Sequence, residues 1–204
     1  THSTSSAASD VYKRQLQYEG GLKKLDDGGF VFQGQGTLYN QTGQSVYQGL
    51  WEDGTRSGNG TAWLEDGSIY SGNWVDDYPD GKGTYLFPDG TEYEGGFIRG
   101  KKHGQGTFKE ADGFVSYDGE WKDGQRFGKG RVNKRDSSSY DGDWLDGKPH
   151  GNGMFTYPDG RVYTGTMKQG LRQGLGELRR SDGSIAYELS LIHISEPTRR
   201  SRIS

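Results

Sequence analysis

Tyrosine recurs at positions 18, 47, 70, 93, 117, 140, 163 and 187, at steps of 29, 23, 23, 24, 23, 23 and 24 residues. Each of the first seven opens a short motif: YEGGL, YQGLW, YSGNW, YEGGF, YDGEW, YDGDW and YTGTM. A Gly-x-Gly step follows at Gly58/Gly60, Gly104/Gly106, Gly128/Gly130, Gly151/Gly153 and Gly174/Gly176. A turn pair comes next, at Asp66-Gly67, Asp89-Gly90, Asp112-Gly113, Asp159-Gly160 and Asp182-Gly183. A fixed period of this length is the signature of an array in which each small unit buries its apolar face against the next. Tyr140–Val162 is the cleanest copy.

Within a copy the apolar positions alternate. In Tyr140-Asp-Gly-Asp-Trp144 the rings and the Gly fall on one face and the acids on the other, which predicts a strand with one packed side. The run Gly153-Met-Phe-Thr-Tyr157 alternates in the same way. Pro158-Asp159-Gly160 supplies one turn and Asp146-Gly147 the other, so strand and turn succeed each other in an antiparallel meander. Gly weakens a strand interior, so the Gly between Tyr and Trp calls for a reason. The expected one is room for a ring from the neighbouring hairpin. Only 29% of residues are hydrophobic, but 13% are aromatic and 36 are Gly. The core is therefore expected to be a few large rings on a turn-rich frame rather than a thick aliphatic layer. The predicted fold is all-β, an elongated, single-layer, twisted antiparallel meander of stacked hairpins. About fourteen strands at roughly 4.8 Å each give a rod of about 65 Å, and no helix is expected.

Some copies depart from the pattern. In the first, Gly34-Gln35-Gly36 arrives five residues late, which reads as a loop insertion between strands. The third has Asp77 where a turn Gly is expected, and Pro79-Asp80-Gly81-Lys82-Gly83 reads as a replacement of the first Gly of the step. The fifth has Asp136-Ser137-Ser138-Ser139 in place of Asp-Gly, and the eighth begins at Tyr187-Glu188 and is cut off.

Tyr-x-Gly-x-Trp, Gly-x-Gly and Pro-Asp-Gly at this period resemble MORN repeats, from Tyr18 to about Glu188. The resemblance implies a non-catalytic interaction scaffold. MORN-like arrays are associated with cytoskeletal, ciliary and junctional assemblies, with partner helices bound along the sheet, and with dimerisation through array ends. It also implies two alternatives: binding of an anionic phospholipid surface, and a regulatory array belonging to a larger enzyme. The implied location is cytoplasmic, cytoskeletal or at the membrane periphery.

The two ends look foreign to the array. Ser5–Gln15 reads SSAASDVYKRQ and Leu189–Arg199 reads LSLIHISEPTR. Both resemble in-frame translations of adapters used in transposase-based sequencing libraries. The expected division is therefore an adapter-like tail over 1–15, the repeat array over 16–188 and a second such tail over 189–204, with the natural termini undefined. The array then holds 20 basic and 26 acidic residues, which argues against nucleic acid as a partner. There is no Cys, so disulfides and thiolate metal sites are excluded. No 18-residue apolar run is present to span a membrane as a helix.

Candidate site residues follow from the copies. A single-layer sheet is expected to leave part of its ring face accessible. Tyr70, Trp74, Tyr85, Phe87, Tyr93, Phe97, Tyr117, Trp121, Tyr140, Trp144, Phe155 and Tyr157 are then candidates to line a groove for a peptide or helix. Between Arg99 and Arg135 ten basic residues face five acidic ones. Arg99, Lys101, Lys102, Arg126, Lys129, Arg131, Lys134 and Arg135 are the candidate contacts to an anionic surface. His103 and His150 share a repeat position that Phe127 fills elsewhere, which argues against chemistry there. The Asp-Gly pairs lack the alternating oxygen ligands of a calcium loop. Gly128-Lys129-Gly130 lacks the helix of a phosphate loop. No catalytic residue, metal or cofactor is assigned.

Overall fold

The computed structural model describes residues 16–191, with only the backbone described over 187–191. Fifteen strands follow one another: β1 (Gln17–Lys24), β2 (Phe30–Tyr39), β3 (Ser45–Glu52), β4 (Thr55–Trp63), β5 (Ile69–Val75), β6 (Tyr78–Leu86), β7 (Glu92–Ile98) and β8 (Lys101–Lys109), then β9 (Val115–Lys122), β10 (Gln125–Asn133), β11 (Ser139–Leu145), β12 (Lys148–Thr156), β13 (Val162–Lys168), β14 (Leu171–Arg179) and β15 (Ile185–Leu191). Their order in the sheet is their order in the chain. The result is an open antiparallel meander, and the described residues contain no helix. The strand beyond the expected fourteen is β15, which opens the eighth copy. It runs three residues into the segment read as an adapter-like tail. The rest of that segment, and residues 1–15, lie outside the described residues.

The strands form two compact units. The first extends to Val115 and takes in Trp121–Gly124. The second holds Ser116–Glu120 and everything from Gln125 onward.

Two turn types alternate, and both were written in the sequence. The short turns, such as Asp123-Gly124 and Asp146-Gly147, carry positive φ at both residues, the backbone whose twist suits a hairpin. The longer turns close by paired backbone bonds, as in Phe87 N–H to Thr91 O at 2.8 Å and Gly90 N–H to Phe87 O at 3.0 Å. The Asp89 carboxylate accepts the Thr91 N–H at 2.9 Å, which ties the turn to its own side chain. At the fifth copy Ser137, at φ 66°, takes the place that Gly90 and Gly113 hold elsewhere.

Two sequence expectations are corrected. The first-copy insertion is only partly a loop. Lys24 pairs with Phe30, so the hairpin is one pair longer. Its tip, Leu25–Gly29, adopts the longer turn type, with Leu25 N–H bonded to Gly29 O at 2.8 Å. In the third copy the Gly-x-Gly step is not replaced. Gly81 pairs with Phe97 and Gly83 with Gly95, as Gly58 pairs with Trp74 and Gly60 with Gly72 in the second.

Candidate functional site

The ring that lies over the strand Gly comes from the same strand, not from the neighbouring hairpin. In β11 the Tyr140 ring arches over Gly142 and its partner Gly153, and its hydroxyl donates to Asp143 O at 2.9 Å. A Cβ at Gly153 would stand 2.6 Å from Tyr140 Cζ. The first seven copies all make this bond, for example Tyr70 to Asn73 O and Tyr93 to Gly96 O, both at 2.9 Å. The Trp two residues past the Gly meets this Tyr edge-on and donates its indole N–H to a backbone carbonyl. Trp74 bonds Gly60 O at 3.0 Å and Trp144 bonds Gly130 O at 2.8 Å. Trp74 also stands edge-on to Tyr47 of the preceding copy, at 5.4 Å between centroids.

This geometry corrects the groove expectation. Tyr70, Trp74, Tyr93, Phe97, Tyr117, Trp121, Tyr140 and Trp144 are all buried, with Tyr93 and Tyr117 at 0% exposure. Packed on the sheet and against one another, these eight are core. Tyr85, Phe87, Phe155 and Tyr157 sit beside them, half-buried.

In several copies the rings are covered from a position the sequence reading missed, nine residues after the Tyr of the second to seventh copies. It holds Arg56, Pro79, Lys102, Arg126, Pro149 and Arg172. The Arg56 guanidinium lies 4.2 Å from the Trp74 ring centroid, and Arg126 lies 4.9 Å from that of Tyr117. The Lys102 ammonium is within 5.1 Å of four ring centroids, those of Phe87, Tyr93, Phe108 and Trp121. The backbone carbonyl at this position accepts the N–H of the next hairpin's turn, as in Gly124 N–H to Lys102 O at 2.9 Å and Gly147 N–H to Arg126 O at 3.0 Å. Cation–π contact and turn docking thus meet at one residue. The recurring spacing of nine was the available signal.

The eight candidate cations fall in both units. In the first unit Lys102 covers rings, while Lys101 pairs with Ile98 on the opposite face. Arg99 is in a short turn, where its N–H bonds the Asp80 carboxylate at 3.1 Å. In the second unit Arg126 covers rings, and burial pushes its pKa down. Lys129 is bridged to Asp143, and its backbone N–H bonds Glu120 at 2.8 Å. That bridge, with the Asn152 N–H, holds the Asp143 carboxyl below its ordinary range. Arg131 stands opposite Asp141, and Lys134 and Arg135 are in the long turn that follows. Within each unit the basic residues are divided between strand and turn positions, and in the second unit Lys129 and Arg131 face acids directly.

The face away from the rings differs along the first unit. One row runs Trp63–Ile69–Leu86 across β4, β5 and β6, paired residue to residue. Beside it lies a hydroxyl row of Thr61, Ser71 and Thr84, with Thr61 and Ser71 hydrogen-bonded at 3.0 Å. Asn59 and Asn73 pair in the next row. From β7 onward the apolar row gives way to charge: Glu92 pairs with Lys109, which also bridges Glu94 at 2.9 Å.

Among the described residues no three His, Cys, Asp or Glu side chains gather as a metal site. His103 and His150 each bury an Nδ1 without a hydrogen-bond partner. In the second unit a shallow groove is lined by Asp159, Arg161, Leu178, Arg180, Ser181 and Ala186. Its Arg161 is bridged to Asp159 at 2.7 Å.

The fold and its ring core define a β-hairpin repeat array. The MORN repeat model matches residues 47–69, 70–92, 93–114, 117–132, 140–160 and 163–185, and the chain belongs to the MORN-repeat family. No curated protein matches it. Similar solved structures include the TCP domain of Drosophila melanogaster SAS-4 (dCPAP), in complex with a proline-rich motif of Ana2 (dSTIL). That match has 13% identity over 81% of this chain and 86% of that one, at TM-score 0.43. A mutant TCP10 domain of Danio rerio CPAP has 14% identity over 89% of this chain and 92% of that one, at TM-score 0.44. BamB from Moraxella catarrhalis has 11% identity over 85% of each chain, at TM-score 0.20. TM-scores this low do not establish a shared fold.

Proposed function

We propose that the array is a non-catalytic scaffold that docks a protein partner in a cytoskeletal or membrane-associated assembly. The observation that carries this reading is the division of labour between the faces. The Tyr and Trp rings of the repeat motif are used up as core. The opposite face of β4–β6 keeps an apolar row in solvent. Among the described residues, side chains committed to packing and turns leave no cluster suited to bond-making chemistry, whereas a face that carries an apolar row suits docking. The interleaving of Lys129 and Arg131 with Asp143 and Asp141 favours a protein partner over an anionic lipid surface.

The test is reconstitution. Partners captured by the full chain are purified and mixed back with it, and light scattering reads the stoichiometry of the complex. The same preparation is floated with anionic vesicles. A binary complex of fixed stoichiometry is expected. Saturable vesicle binding with no reconstituted complex would replace the scaffold reading with the lipid one.

A further inference from the structure

We propose that the row Trp63–Ile69–Leu86 docks an amphipathic helix whose flanks are rich in Lys and Arg. The inference rests on the scaffold reading and names its surface and partner. Adjacent strands are about 4.8 Å apart, so the row presents apolar groups at that interval. A helix rises 1.5 Å per residue, so its apolar positions three and four residues apart recur at roughly 4.5 to 6 Å. A helix laid across the strands therefore keeps step with the row. One step beyond the Tyr47–Ala62 pair, the register of β3 and β4 brings Val46 beside Trp63 and lengthens the row.

The row is accessible. Leu86 is 37% exposed, and Trp63 and Ile69 are half-buried. Trp51, Trp74 and Trp144 all donate their indole N–H to backbone carbonyls. The Trp63 indole N–H has no such acceptor among the described residues, so it can donate to a partner. The neighbouring hydroxyl row adds polar contacts without adding charge.

Charge selects the occupant. Between Gly36 and Ile98 there are ten acidic and two basic residues. One of the two, Arg56, is bridged to Asp77 at 2.9 Å. Glu65, Asp66 and Asp89 stand in the turns bordering the row, and Glu92 pairs with Leu86 at its end. The bond from Thr91 holds the Asp89 carboxyl below its ordinary range, so it stays charged. Such a rim attracts a basic flank and repels an anionic membrane. A second copy of the same face would bring carboxylates against carboxylates.

The test uses the full chain and three labelled helical peptides: Leu every three to four residues with Lys flanks, the same with Glu flanks, and a scrambled Lys version. Fluorescence anisotropy reads binding. The Lys-flanked peptide alone is expected to saturate. Leu86→Arg and Trp63→Gln should each weaken it by roughly tenfold or more, and Glu65→Lys, in an exposed turn where folding is not at stake, several-fold. Met154→Gln, outside the row, should leave it unchanged. Equal binding by the Glu-flanked peptide, or no loss in any of the three row and rim variants, overturns the proposal, as does dimerisation that these variants abolish. If the variants still reconstitute a captured partner at full affinity, this surface is wrong and the scaffold reading stands. If the wild-type chain reconstitutes no partner, the scaffold reading itself fails.

Discussion

The Tyr140 ring occupies the space that a side chain at Gly153 would need. Its Cε2 and Cζ lie 2.5 and 2.6 Å from where that Cβ would be built. Gly153 has no positive φ, so its requirement is room, not backbone freedom. Gly153→Ala is therefore expected to lift the ring off the sheet, strain the hydroxyl bond to Asp143 O and destabilise the chain by about 2–3 kcal/mol. Asn152→Ala, one residue earlier with an exposed side chain, should cost under ~0.5 kcal/mol. Urea unfolding followed by circular dichroism measures both. Equal effects would refute the packing argument.

Lys102 tests the cation over the rings. Its ammonium is near four rings, the closest 4.9 Å from the centroid. Lys102→Met keeps a flexible apolar stem and removes the charge, so the expected loss is about 1–2 kcal/mol. Lys101→Met, next in sequence but exposed on the opposite face, should stay within ~0.5 kcal/mol. If the two variants unfold at the same urea concentration, the cation contributes nothing beyond its stem.

Alkaline pH should unfold the array through its tyrosines. Burial pushes Tyr47, Tyr93 and Tyr140 up to about 12, whereas an unfolded Tyr ionises near about 10. These groups are neutral in the folded chain, and the unfolded chain loses their protons first. The stability they confer is thus complete below pH about 10 and is lost as pH rises from there toward 12. Phenolate absorbance and circular dichroism, followed together, should show ring ionisation and loss of the sheet in one transition. Buried rings that titrate near pH 10 with the sheet intact would contradict this.

The Tyr, Gly and Trp positions were legible because a strand's alternation places them on one face whatever their neighbours are. The position held by Arg56, Pro79 and Lys102 was not legible, because three different chemistries share it and only the recurring interval betrays it. The ring face was misread for a physical reason. A single layer was expected to leave rings exposed, but a Tyr folded flat on its own Gly pair meets neighbouring rings edge-on, as Tyr70 meets Trp74 and Phe97, and is buried. The row Trp63–Ile69–Leu86 could not be seen without register. Trp63 and Ile69 meet across one turn, and Leu86 arrives from the next hairpin.

Ser137 and Asp77 share a backbone conformation and should respond oppositely to the same change. Both have positive φ, 66° and 68°, at turn positions where other copies carry Gly. A left-handed backbone costs a non-Gly residue about 1–2 kcal/mol, so relief alone would favour Gly at each. At the fifth-copy turn, the bond that tethers it is made by its neighbours, from Ser138 N–H to the Asp136 carboxylate at 2.9 Å. Ser137→Gly should therefore stabilise by roughly 0.5–1 kcal/mol, part of the relief being offset by the freer unfolded chain. Asp77 is held by its own side chain. Its carboxylate accepts both the backbone N–H and the Nε–H of Arg56 at 2.9 Å, and Arg56 Nη2 donates to its carbonyl. Removing that carboxylate leaves the guanidinium over Trp74 without its anchor. Asp77→Gly should destabilise by about 1–2 kcal/mol despite the relieved backbone. Thermal unfolding midpoints of the two variants should move in opposite directions. A rise in both would mean that the Arg56 anchor does not offset the strain at Asp77.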